Sequence, residues 1–231
     1  MKLLLVLLTA GKLGKVLLTG GTMLLSVFVY AITFGWRYAV GFVGLIFVHE
    51  MGHFVAARKC GLAVGAPGFI PFVGAWIALK DANMDPETEA YVGLAGPLLG
   101  SVAALGCYLL ARHNGEPLLM AIAYGGFFLN LFNLIPLSPF DGGRIVAVIS
   151  PRLWLLGVPI LLGLFLWKPS PILILMALLA APRVWSVING SARSLQHTVK
   201  PGARLKYGAQ YLGLVAGLAL LAFDAHERVA G

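Results

Sequence analysis

Residues 45–54 read Leu-Ile-Phe-Val-His-Glu-Met-Gly-His-Phe, and the nature of the chain turns on them. They lie in a continuous apolar segment, about Tyr38–Ala57, closed by Arg58-Lys59. At a rise of about 1.5 Å per residue such a segment is long enough to cross a bilayer as a helix. Within it His49, Glu50 and His53 stand in the order H-E-x-x-H. At about 100° per residue, positions 49 and 53 share one helical face a turn apart, so both imidazoles can reach a single ion. Glu50 lies beside them, placed to touch a metal-bound water without being a ligand. The alternative is a buried helix whose histidines and glutamate are satisfied by neighbouring polar groups. Hydrocarbon makes that arrangement expensive, and ionisable residues within it are functional candidates by default.

Composition agrees with a membrane setting. Hydrophobic residues form 59% of the chain and charged residues 11%, with a mean hydropathy of +0.89, whereas a soluble domain carries about 25% charged residues. The fold expected is an all-α polytopic membrane protein of about six to seven transmembrane helices, some short or broken, with a small membrane-associated β element. The 231 residues leave little room for a soluble domain beside those spans. The formal charge of +8 does not point to nucleic acid, because the basic residues flank apolar spans and form no patch interleaved with exposed aromatics. Cys60 and Cys107 fall in different segments and suggest neither a disulfide framework nor a thiolate metal site.

Along the chain, residues 1–18 read as a short interfacial helix rather than a signal peptide, since Lys12 and Lys15 follow the apolar run directly. Spans are expected at about Val16–Trp36, Tyr38–Ala57 and Ala90–Arg112, the last with Gly93, Gly96 and Gly100 allowing close helix approach. Between the second and third, Phe69–Leu79 is apolar and punctuated by Gly and Pro; it reads as one or two strands at the membrane surface, the alternative being a linker. Asp81–Glu89 reads as a loop. The fourth segment, Pro117–Ser150, is broken by Asn130, Asn133, Pro136, Pro139 and Asp141-Gly142-Gly143. Broken backbone at membrane depth requires protein or water beside it. Two short apolar runs, Leu153–Trp167 and Ile172–Ala181, hinge at residues 168–171; Val184–Arg204 reads as a polar basic loop and Tyr207–Phe223 as the last span.

With the N-terminus cytoplasmic, thirteen of the 17 Lys and Arg residues collect on the cytoplasmic side, leaving Arg37, Arg112, Lys168 and Arg228 on the other. That orientation sets His49 and His53 within two turns of the cytoplasmic face.

A catalytic zinc usually takes three protein ligands and keeps one position open. Asp141, in the broken fourth segment, can be the third, with Gly142-Gly143 letting the backbone come close to another helix. Its alternative role is to cap a helix beginning near Arg144. Beside an intramembrane H-E-x-x-H the ligand role is favoured. His113, His197 and His226 fall in expected connections or the tail.

The pairing of His49-Glu50-Met-Gly-His53 with Asn133-Leu-Ile-Pro136-Leu-Ser-Pro139-Phe-Asp141-Gly142 resembles the site-2 protease family of intramembrane zinc metalloproteases, and Gly93-Leu-Ala-Gly96-Pro97 is similar to its glycine-rich helix motif. The resemblance covers about residues 38–150, the expected catalytic core of a single membrane domain, with residues 151–231 as C-terminal helices. It implies one zinc per chain held by His49, His53 and Asp141, Glu50 as catalytic base, and Asn133, less surely Asn130, holding substrate or oxyanion. Substrates would be transmembrane segments of other proteins, met in the lipid bilayer, with Phe72, Val73 and Gly74 of the strand stretch as further substrate contacts. Family members often carry PDZ or CBS domains, for which this chain has no room. A transporter would also keep Asn, Asp and His near the midplane, but needs no Glu beside paired histidines and would show repeated halves. An inactive scaffold would be expected to have lost one of the four central residues.

Overall fold

The computed structural model describes residues 19–65, 68–70, 74–76, 84–192 and 199–230, with the backbone alone for 68–70 and 74–76. Helix α1 is Thr19–Phe34. A glycine at φ 81°, Gly35, then turns the chain into α2, Trp36–Lys59, whose last turn carries Arg58 and Lys59 against the helix dipole. Tyr30 packs edge-on against Phe42 at 5.4 Å and joins the two helices.

Helix α3, Pro86–Asn114, starts where the sequence suggested a loop, because its end signals are strong. Asp85 caps it by accepting from the Thr88 N–H at 3.0 Å, Pro86 occupies the first turn, and Gly115 closes it at φ 69°. The bonds from Thr88 hold the Asp85 carboxyl below its ordinary pKa. Helices α4, Pro117–Asn133, and α5, Asp141–Ile149, are the two halves of the broken segment. A 3₁₀ turn, Pro151–Leu156, leads to α6, Gly157–Trp167, then α7, Pro171–Ile188, and α8, Pro201–Ala230. Helix α7 runs through Pro182 to Ile188, further than the apolar run predicts, and takes in part of the stretch expected as a loop.

Helix α3 is the hub, packed against α2, α4, α5 and α8, while α6 and α7 lean on the 3₁₀ turn. Most of the linker of residues 134–140 is buried although it is not helical: Leu134, Ile135 and Leu137 are all shielded, and Pro139 alone is exposed. Its backbone finds partners from other elements. Tyr211 of α8 donates to the Leu134 carbonyl at 2.6 Å, and just beyond the linker, in the first turn of α5, the Gly143 carbonyl accepts from Trp154 at 2.8 Å. Gly142 and Gly143 are glycines of necessity here, since a Cβ on either would fall 2.3 Å from linker backbone atoms.

Among the described residues four helices, α2, α3, α7 and α8, are long and apolar enough to cross a membrane; α1, α4 and Pro151–Trp167 are shorter apolar helices. The expectation of six to seven spans counted each apolar run as a crossing, and Pro136 and Pro139 divide one of those runs. Gly68–Ile70 and Gly74–Trp76, β1 and β2, pair antiparallel with Phe69 opposite Ala75, and β2 runs near α2. Phe72 and Val73 lie outside the described residues, as do residues 1–18 and His197.

Candidate metal centre

Helix periodicity puts His49 and His53 on the face of α2 that meets α3, and small residues let the two backbones close on each other. A Cβ on Gly52 would lie 2.3 Å from the Ala95 carbonyl oxygen, and one on Gly96 would lie 2.2 Å from His53 Nε2. The glycines of the third segment are therefore more than packing aids, because Gly96 forms the wall of the histidine site. Asp141 arrives from the opposite direction in the first turn of α5. It is not the cap of that helix, since Phe140 holds the capping position.

The tautomers of both histidines follow from their outer partners. His53 Nδ1 lies 2.7 Å from the Val92 carbonyl oxygen, which can only accept, so Nδ1 carries the hydrogen. His49 Nδ1 lies 2.8 Å from Asn130 Oδ1. The Asn130 amide is oriented by its other end, where Nδ2 donates to the Gly126 carbonyl at 2.7 Å, so Oδ1 accepts and His49 Nδ1 donates. In its neutral form each ring thus presents a lone pair at Nε2.

Those lone pairs converge. The two Nε2 atoms are 3.1 Å apart, and Asp141 Oδ2 is 3.2 Å from one and 3.1 Å from the other. Three electron-pair donors at such spacing repel unless a positive charge sits among them. Ligands about 2.0–2.1 Å from a tetrahedral zinc stand about 3.3 Å apart, so the triangle has the size this ion needs. Neither Nδ1 has to change partner on binding, and orienting partners of this kind are what metal-ligating histidines usually have. His49, Glu50 and His53 also form a group with donor atoms within 4.8 Å of one another. Asp141 fits the third corner better than Glu50, because its oxygen already lies within 3.2 Å of both nitrogens. All these side chains are buried, Asp141 at 8% exposure being the most open.

Asn130 is 0% exposed and both ends of its amide are engaged, Oδ1 by His49 and Nδ2 by the Gly126 carbonyl, so it stands directly behind the His49 ring. Gly100 makes room for it, since a Cβ there would lie 2.5 Å from Asn130 Oδ1. Asn133 is half-buried, with Nδ2 donating to the Leu129 carbonyl at 3.1 Å. Gly74 opens β2. His113 is exposed at the end of α3, and the His226 ring lies 5.3 Å from that of Tyr124, both away from the triangle.

Residues 37–115 match the model of peptidase family M50. A putative zinc metalloprotease of Methanocaldococcus jannaschii, MJ0611, is 32% identical over 143 residues that cover 51% of this chain and 72% of the relative. The chain belongs to peptidase family M50, the site-2 protease family. A second relative, the zinc metalloprotease MJ0392 of the same organism, is 33% identical over 116 residues, which are 48% of this chain and 33% of that protein. The match thus spans about a third of that relative's length. The solved site-2 protease from Methanocaldococcus jannaschii aligns over 90% of this chain and 86% of its own, with a TM-score of 0.46 and 19% identity.

Three members of this M50 protein's candidate centre escape a sequence reading. The Val92 carbonyl carries no side-chain signal at all. Trp154 and Tyr211, which bond the backbone around Asp141, look like ordinary interfacial aromatics. A hint existed for Asn130, since an amide in an apolar helix needs a buried partner, but nothing local names His49 as that partner.

Proposed function

We propose that this M50 protein is a zinc-dependent intramembrane endopeptidase that hydrolyses peptide bonds within membrane-spanning segments of other proteins. The observation that carries the reading is the buried triangle of His49 Nε2, His53 Nε2 and Asp141 Oδ2, with Glu50 adjoining it. These three residues would hold one ion per chain. Zinc in that position supplies Lewis acidity, lowering the pKa of a water to about 7 and polarising a carbonyl. The remaining work belongs to side chains. Glu50 takes a proton from the water as its oxygen bonds to the scissile carbonyl carbon, and returns it to the leaving nitrogen as the C–N bond breaks. Asn133, with one amide hydrogen on Leu129, keeps a second for the developing oxyanion. Asn130 acts one step back, fixing the His49 ring.

A helical substrate hides its peptide carbonyls in internal hydrogen bonds and must unwind before it can react. The two-stranded sheet of β1 and β2 offers an edge to which an unwound segment can add. Residues 38–150 form the catalytic core of a single membrane domain in this reading, and the shorter helices count as partial or tilted crossings.

The test uses a single-span peptide reconstituted with the protein. Glu50→Gln should abolish cleavage and keep the metal, while His53→Ala should lose both. Metal loss in Glu50→Gln equal to that in His53→Ala would make Glu50 a ligand and overturn the assignment.

The orientation proposed is N-terminus cytoplasmic, with the triangle toward the cytoplasmic side. Supporting it, Arg112 and Arg228 cluster with Tyr108 and Asp224 at one end of α3 and α8, while Lys59, Arg144 and Lys206 lie toward the other. A single cysteine at Lys200 should be shielded from an impermeant thiol reagent outside intact cells, and one at His113 should react. The reverse pattern would place the triangle toward the outside.

A further inference from the structure

A groove of about 390 Å³ runs between α2, α3 and α8. It takes one face from each helix, with Val55 and Lys59 from α2, Leu98 and Val102 from α3, and Lys206 and Gln210 from α8. All three helices are among those long and apolar enough to cross a membrane. The groove is polarised along its length. Lys59 is the last residue of α2 and Lys206 lies in the second turn of α8, so both ammonium groups are at one mouth, and no carboxylate lines the groove among the described residues. Toward Val102 the walls are apolar, and Val55, Leu98 and Val102 are each more than 40% exposed.

The dimensions choose the occupant. From Tyr91, near the mouth, to Val102 helix α3 rises about 16 Å, close to one leaflet of a hydrocarbon core about 30 Å thick. An extended acyl chain of that length can lie along the apolar part of the groove. Two ammonium groups at the interfacial end, Lys59 and the Lys206 that lies over the Tyr207 ring, form no ion pair among the described residues and call for a negative headgroup. We infer that this groove binds an anionic phospholipid, its phosphate at Lys59 and Lys206 and one acyl chain lying along Leu98 and Val102. The slot is separate from the triangle but backs onto it, because Gly52 and Ala95 line the groove while their neighbours His53 and Gly96 face the other way.

The test is native mass spectrometry of the whole protein taken from vesicles that mix phosphatidylglycerol and phosphatidylcholine. One phosphatidylglycerol should be retained in preference to phosphatidylcholine. Lys59→Gln and Lys206→Gln should each weaken that retention about fivefold, the contribution of one basic residue near an anionic lipid surface. Arg58→Gln removes a charge from the same end of α2 but outside the groove, where its guanidinium covers Phe54, and should change retention less than twofold. Leu98→Trp, which fills the slot and keeps both lysines, should weaken retention as well. Equal retention of the two lipids, an Arg58→Gln effect as large as that of Lys59→Gln, or displacement by glycerol phosphate lacking acyl chains would each overturn the assignment. These readouts do not depend on proteolysis, so they stand or fall apart from the proposed activity.

Discussion

Gly96→Ala should leave the protein without bound metal and without activity, although it adds one methyl group. That methyl would sit 2.2 Å from His53 Nε2, 2.4 Å from Cε1 and 2.7 Å from Cδ2. The imidazole cannot give way by a small shift, because its Nδ1 is bonded to the Val92 carbonyl and the ring is buried. It must abandon either that bond or the triangle. Overpacking of this kind costs about 1–3 kcal/mol, which a folded chain can survive, so the loss should appear in metal content before it appears in helix content. Gly106→Ala, in the same helix with nothing within 4 Å of the new methyl, is the matched control and should keep full metal. Wild-type metal in Gly96→Ala, measured by elemental analysis of the purified chain, would show that the α2–α3 contact is looser than the geometry requires.

Asn130→Leu should lower metal affinity about 10- to 100-fold, the usual range when a partner behind a ligating histidine is lost. The replacement has nearly the same volume and is apolar, so its effect isolates the hydrogen bond to His49. With His49 only 3% exposed, no water readily replaces the lost acceptor, and the ring is free to carry its hydrogen on Nε2, where it blocks the lone pair. Asn130→Asp, which keeps an acceptor, should recover most of the affinity. Chelator competition measures both. If Asn130→Leu instead left affinity intact and impaired only cleavage, Asn130 would act on the substrate after all.

These two residues also mark how far the sequence could be read. His49, Glu50 and His53 are legible because helical periodicity is local: three positions within five residues define a face. The break before Asp141 is legible for the same reason, since Pro136 and Pro139 disrupt a helix wherever it is placed. What Asn130 touches depends on how α4 is rotated against α2, across a separation of 81 residues, and neither helix alone contains that angle. Gly96 shows an intermediate case. Its smallness signals a close approach, but only the packed structure shows that the His53 imidazole is what approaches. The ends of α7 and α8 are not legible in this way, because an apolar run marks only part of each helix: Pro182 and the polar residues 201–206 are helical in the structure.

The hydrogen bond from Tyr211 to the Leu134 carbonyl has a consequence in time. Both histidines have their outer partners once α2, α3 and α4 have met, before the rest of the chain emerges from the ribosome. The linker that carries Asp141 follows, but one of its carbonyls has no donor until α8, the last of the described helices to be made, swings in beside it. During synthesis the third corner of the triangle therefore stands on an unfastened support. The centre acquires its final rigidity only after the membrane insertion of its own C-terminal helix, so a partly inserted chain carries the ligands without the brace that holds them in register.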